Sequence, residues 1–277
     1  MQNPDPYKLS LNTATVRQQW NLRQIIEGCA RHNIRAISPW RDQVAELGLK
    51  ETARLIRLHQ LSVSGYCRGG MFPANSAEQR HRNLNDNFQA VDEALELNAA
   101  CLVLVVGGLP AGSKNLTGAR QQVHDGLNAL LEYSRPRGIP LAIEPLHPMY
   151  TADRACINSL KQANDLIDEL GEEGLGIAVD LYHTWWDADF HHEITRAGLK
   201  RLLAFHICDW LNPTRDLLED RGMMGDGVID VRGFRLAVEA LGYEGFHEVE
   251  IFSCFNWWTK DPDEVLRTCK IRHQEYG

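Results

Sequence analysis

Long apolar runs, paired cysteine motifs and an excess of positive charge are all missing from this chain of 277 residues. No apolar stretch approaches the ~20 residues that a membrane-spanning helix needs. Residues 1–20 lack the charged-then-apolar pattern of a secretory signal. The seven cysteines, at positions 29, 67, 101, 156, 208, 254 and 269, are odd in number and form no CxxC pair. That scatter suits reduced thiols serving as small core residues rather than a disulfide framework or a zinc cage. A formal charge of −8 argues against nucleic acid as the main partner, because phosphate recognition needs a basic face. No Pro/Gly/Ser-rich linker, charge block or low-complexity tract divides the chain. One domain spanning residues 1–277 is expected, in the cytoplasm and without a membrane partner.

What is present is an ordinary globular composition, 44% hydrophobic and 24% charged, enough for a large core. Short apolar runs at 8–13, 35–39, 62–67, 101–106, 140–144, 176–180, 202–207 and 246–252 read as strands. Amphipathic stretches at 20–32, 48–60, 77–98, 117–135, 157–170, 190–201, 231–242 and 262–274 read as helices. Asn158 or Ser159 is placed to cap the fifth of these, Gly171 to end it, and Pro262 to start the last. Strands alternating with helices define an α/β protein, and the expected architecture is a single (β/α)8 TIM barrel. A doubly wound sheet would gather its polar groups at one switch point. Here they fall at the ends of the last four strands.

Those endings are Glu144 in LAIE, Asp180 in GIAVD, His206 in LLAFH and Glu250 in FHEVE. Barrel enzymes gather catalytic groups at the C-terminal ends of their strands. Three carboxylates and one imidazole make a predominantly hard donor set. It suits one divalent cation, Mn²⁺ first, with Mg²⁺ or Co²⁺ as alternatives; zinc usually takes more nitrogen or sulfur.

With these residues the chain resembles the xylose isomerase-like TIM barrels, which include sugar isomerases, tagatose-type 3-epimerases, inosose dehydratases and endonuclease IV. The resemblance runs over the whole strand–helix order and is most specific in residues 140–252. It implies that Glu144, Asp180, His206 and Glu250 are the metal ligands, and that Glu144 and Glu250 also shuttle a proton. It further implies substrate contact by His183, three residues after the Asp in DLYH, and by Arg221 in RGMMGDG. The segment between His206 and Arg221 is longer than in the epimerase branch. The second Glu that follows strand five in tagatose-type epimerases is absent, and Tyr150 lies near that place. The extra histidines of the three-metal endonucleases are also absent: CRGG (67–70), VGGLP (106–110) and GDGV (225–228) contain none.

Such a site can polarise a ketose carbonyl and acidify the adjacent C–H, giving a metal-stabilised enediolate. Its fate decides between isomerisation or epimerisation, the leading expectation, and β-elimination by a lyase or dehydratase. A sugar-binding barrel without catalysis is the third reading. His147, three residues past Glu144, is a candidate general acid or a group that orients a ligand. Arg68 and Arg41, just after strands three and two, can bind a substrate hydroxyl, carboxylate or phosphate, or sit in surface ion pairs. Gly107 and Gly108 allow close backbone approach after strand four. Trp40, Trp185, Trp186, Trp210, Trp257 and Trp258 all follow strand ends, and about half are expected to line a carbohydrate pocket, with Trp185 and Trp210 named for substrate contact. Residues 212–224 are expected to fold over the mouth. Exposed aromatic loops are compatible with a homo-oligomer.

Overall fold

The computed structural model describes residues 3–277. Among these residues, nine parallel strands form the barrel wall: β1 (Leu9–Asn12), β2 (Ala36–Ser38), β3 (Ser62–Val63), β4 (Tyr66–Gly70), β5 (Leu102–Val105), β6 (Leu141–Ile143), β7 (Leu175–Asp180), β8 (Leu202–Ile207) and β11 (His247–Val249). Between the last two, β9 (Asp209–Trp210) and β10 (Arg221–Gly222) make a small antiparallel pair. The wall runs β3-β2-β1-β11-β8-β7-β6-β5-β4. Because β3 and β4 are consecutive pieces of one interrupted strand, the expected eight-strand ring is recovered. Bridges from Trp40 to Cys67 and from Val63 to Ala99 close it across the interruption.

Among the described residues, ten helices accompany the strands: α1 (Leu22–Arg31), α2 (Arg41–Leu47), α3 (Leu49–Leu58), α4 (Ala77–Glu96), α5 (Leu116–Ser134), α6 (Leu160–Leu170), α7 (Leu181–Thr184), α8 (Phe190–Arg201), α9 (Val231–Ala240) and α10 (Pro262–Tyr276). Their starts are chemically marked. Asn21 and Gln24 form a capping box on α1, Ser159 rather than Asn158 caps α6, and Asp261 caps α10 with Pro262 in the first turn. Asn158 instead donates to the carbonyls of Leu146 and Ala155. The sequence pattern did not reveal α2 or α7, which are too short to show helical periodicity. Among the described residues no helix is long and apolar enough to cross a membrane.

Strands buried on both faces give the barrel two apolar regions. The larger packs outward-facing Leu, Ile, Val and Phe against the helices. The smaller lies inside the barrel and is built from small side chains, Cys67, Cys101, Val103, Ala142, Ala178 and Ala204. Small groups here leave room at the barrel axis for polar side chains, and that is where the candidate site begins.

Candidate metal centre

Period-two alternation decides which residues enter the barrel. Ile143, Val179, Phe205 and Val249 pack outward against helices. Glu144, Asp180, His206 and Glu250, each one residue later, therefore point inward. A register shift between Ile177 and Ala178 sets Asp180 opposite His206, which in turn faces Glu248 on β11. Two residues before each inward group stand Ala142, Ala178, Ala204 and Glu248. Three strands place alanine at this depth, and the fourth places a carboxylate.

The four groups named by the sequence converge. One ligand atom from each of Glu144, Asp180, His206 and Glu250 lies within 4.8 Å of the others, and all four residues are buried. His206 Nδ1 is 3.1 Å from Glu144 Oε1 and 4.0 Å from Glu250 Oε2. Its Nε2 lies on the opposite side, 3.5 Å from Glu248 Oε1, an ion-pair distance rather than a formed hydrogen bond. Arg221 Nη1 donates to Asp180 Oδ2 at 3.1 Å and to Glu250 Oε2 at 3.0 Å. It also lies over the Tyr182 and Phe252 rings. Beneath the cluster, Asn12 Nδ2 donates to Glu248 Oε1 at 2.8 Å and to Glu250 Oε1 at 2.9 Å. Ser64 Oγ donates to Glu248 Oε2 at 2.9 Å. Trp40 Nε1 fixes Asn12 from the other end at 2.8 Å.

Burying four carboxylates together shifts their own and their neighbours' protonation. Burial pushes the Asp180 carboxyl up to about 6, with Arg221 opposing. Burial also raises Glu250; Arg221 opposes this and Glu144 adds to it. For His206 burial disfavours the imidazolium, but Glu248 and Glu144 outweigh it and hold the group well above its ordinary value. His183 goes the other way, pushed well below by burial and Arg221 and so neutral. Its Nε2 accepts from Arg221 Nη2 at 3.4 Å, while its buried Nδ1 has no partner.

Above the cluster opens a cavity of about 120 Å³ whose polar lining is Glu144, Glu250, His183, Arg221, Arg68 and Arg154. Trp40, Tyr150, Leu218 and Phe252 supply its apolar wall. A larger groove of about 890 Å³ opens among residues that precede β1, β2 and β3, at the opposite end of the barrel, and shares none of these groups. The long segment after β9 does reach the mouth: Tyr150 and Tyr182 both donate their hydroxyls to the Leu217 carbonyl.

Several residues singled out in the sequence lie elsewhere. Trp185, Trp210 and His147 are not on the cavity wall. His147 stacks on Trp210 at 5.3 Å and meets Trp186 edge-on, while Trp210 stacks on Tyr182 at 4.7 Å. These rings brace one another behind the cavity. Of the six tryptophans that follow strand ends, Trp40 alone lines it; Trp257 and Trp258 are buried, donating to Asp226 and to the Ala14 carbonyl. Arg41 is committed to Asp86 and Glu93. Gly107 and Gly108 allow close approach to the protein's own loops at Met71–Pro73 and Ala152.

Sequence reasoning missed Asn12, Glu248, Arg154 and Asp209. The Glu248 signal was present, since FHEVE puts Glu248 and Glu250 on one face. Asp209 accepts from the backbone N–H of Gly225, Gly227 and Ile229, which shapes the turn after β10 that carries Arg221.

Comparison with known proteins agrees with this fold. Residues 24–269 match the family described as Xylose isomerase-like TIM barrel. A crystal structure of a protein from Sinorhizobium meliloti 1021 is 54% identical, with TM-score 0.96 over 98% of this chain and 99% of that one. An inosose isomerase from Bacillus velezensis is 23% identical over 95% of this chain and 94% of its own. The solved IOLI protein with a bound zinc atom shares the fold at 19% identity, TM-score 0.82, over 97% of this chain and 99% of that one.

Proposed function

The chain belongs to the xylose isomerase-like TIM barrel family, and on that premise we propose that it is a divalent-metal-dependent isomerase or epimerase of a ketose or keto-sugar. Cyclic ketones of the inosose type, named for the B. velezensis relative, fall within that class. One observation carries the reading: four donor atoms from four strands lie within 4.8 Å of one another at the base of a cavity. The residues fit a cation. Three oxygens and one nitrogen form a hard set, and His206 turns Nδ1 toward the carboxylates while Glu248 stands at Nε2. Mn²⁺ is the ion this donor set favours, with Mg²⁺ and Co²⁺ next; the zinc in the IOLI structure belongs to that protein.

When bound, the cation supplies Lewis acidity toward a chelated carbonyl and its neighbouring hydroxyl. The remaining work falls to the chain. Glu144 and Glu250 both face the cavity, so one takes the proton on the carbon beside the carbonyl and the other returns it. Arg221 fixes the orientation of Glu250 and Asp180 and sets the two glutamates in different environments, as paired acid–base work requires. Neutral His183 offers its unpartnered Nδ1–H to a substrate oxygen. Trp40, Tyr150 and Phe252 exclude water from the reacting carbon. Elimination is the weaker reading, because His147, the leaving-group acid it called on, packs on Trp210 outside the cavity lining.

The test is solvent-deuterium incorporation beside the carbonyl, across a keto-sugar panel that includes inososes, with Mn²⁺-loaded protein. Glu250→Gln should abolish exchange while circular dichroism shows the wild-type fold. Full exchange in that variant refutes the assignment. So does a metal content of three ions, or of none after Mn²⁺ loading, in place of about one per chain.

A further inference from the structure

Arg68 and Arg154 both line the cavity beside Glu144, Glu250 and His183. They arrive from different places. Arg68 lies on β4, and Arg154 on the loop after β6, with its guanidinium 5.4 Å from the Tyr150 ring. The other arginines at this end of the barrel are committed: Arg41 to Asp86 and Glu93, Arg221 to Asp180 and Glu250. Among the described residues, the Arg68 guanidinium has neither an ion pair nor a side-chain hydrogen bond. Arg154 reaches one carboxylate, Asp153, at 3.8 Å, and that pair is solvent-exposed.

A guanidinium keeps its proton at any working pH. A half-buried cation without an acceptor is costly, and here a second cation adds repulsion. Burial and Arg154 both act against the charge on Arg68, while Glu144 and Asp42 compensate only from a distance. The carboxylates in the cavity cannot supply the missing partner. In the metal-loaded protein the three ligand carboxylates are matched in charge by the divalent cation and Arg221. Glu248 lies beneath the cluster at His206, and Asp153 lies in solvent beside Arg154; neither is on the cavity wall, so that wall holds Arg68 and Arg154 with no carboxylate left on it to pair with them.

We propose that Arg68 and Arg154 form an anion subsite, and that the keto-sugar taken by this centre carries a carboxylate or phosphate remote from its carbonyl. The inference rests on the isomerase/epimerase reading and narrows its substrate class. Both arginines line one cavity of about 120 Å³ with Glu144 and Glu250, so the anion and the reacting carbon belong to one small molecule. Planar guanidinium forks match either oxyanion and discriminate against a neutral hydroxymethyl group.

The experiment is calorimetric titration of the Mn²⁺-loaded protein with three ketoses that differ only at C6: D-fructose, D-fructuronate and D-fructose 6-phosphate. One or both anions should bind roughly tenfold or more tightly than fructose, and the tighter of the two identifies carboxylate or phosphate. In the Arg68→Gln/Arg154→Gln double variant this preference should vanish while the Mn²⁺ content stays that of the wild type. Equal binding of fructose and both anions, binding of none of the three, or a preference that survives in the double variant overturns the subsite. A protein that loads Mn²⁺ but shows no anion preference refutes this inference alone. A protein that loads no metal refutes the reading beneath it.

Discussion

Glu248→Gln separates two effects that the wild-type site combines. Glu248 touches His206 Nε2 at 3.5 Å and is itself held by Asn12 and Ser64. Glutamine preserves the volume and removes the charge. A full charge at that distance, with an effective dielectric of about 20, is worth at most about 5 kcal/mol. In the metal-loaded protein the lost charge makes the imidazole a poorer donor. Changes of this kind typically cost 10–100-fold in metal affinity, or about 1.4–2.8 kcal/mol. In the metal-free protein the same charge helps hold on His206 a proton that the metal must displace, so removing it eases binding. The two effects oppose each other, and pH decides between them. His206 is held well above its ordinary value in the free protein, so the second effect grows as pH falls through neutrality. The deficit of Glu248→Gln should therefore be largest near pH 9 and narrow toward pH 6. Competition of Mn²⁺ or Zn²⁺ between the protein and a fluorescent chelator, at a series of pH values, measures this directly. A difference of less than about twofold at the alkaline end, or a deficit that does not change with pH, refutes the reasoning.

Two further expectations concern stability. His247 Nδ1 lies 3.0 Å from His273 Nε2 in the core, and burial pushes His273 down to about 4 and His247 lower still. Because these pKa values are depressed in the folded state, the unfolded chain takes up protons first as pH falls below ~6.5. Stability present above that value is then lost toward pH 4, by about 2 kcal/mol per histidine at pH 5. Melting temperature should fall from pH 7 to pH 5 and fall less in His273→Gln; identical slopes refute this. At the mouth, Tyr150→Phe or Tyr182→Phe alone leaves the Leu217 carbonyl one hydroxyl, whereas the double change removes both. Each bond is worth about 1 kcal/mol, so amide exchange in residues 216–219 should quicken roughly tenfold or more in the double variant, and unchanged exchange counts against the contact.

The barrel and the four polar residues that converge at its mouth were legible in the sequence because both rest on local patterns. Apolar runs with period-two alternation fix strands, and a polar residue ending such a run marks the mouth. What escaped depends on relations between strands. Asn12 reads as an ordinary strand-end amide until β1 is laid beside β11. Arg154 lies in a loop whose course no periodicity encodes. The tryptophans misled for a related reason: a position after a strand end places a ring near the mouth but does not say which way it faces. Trp210 faces Tyr182 and His147 because the β9–β10 pair turns it there.

The seam of the barrel has a consequence for how the protein is made. Glu144, Asp180 and His206 lie on β7, β8 or just past β6, but Glu250 follows β11, the strand that closes the ring against β1. Asn12, from the opposite end of the chain, holds Glu250 in place. During synthesis three members of the cluster therefore exist well before the fourth, and the fourth is positioned only after the first and last strands have met. Under the proposed metal reading, capture of the cation would come late, as a seal on completed folding, and the bound ion would stabilise most the join that is formed last.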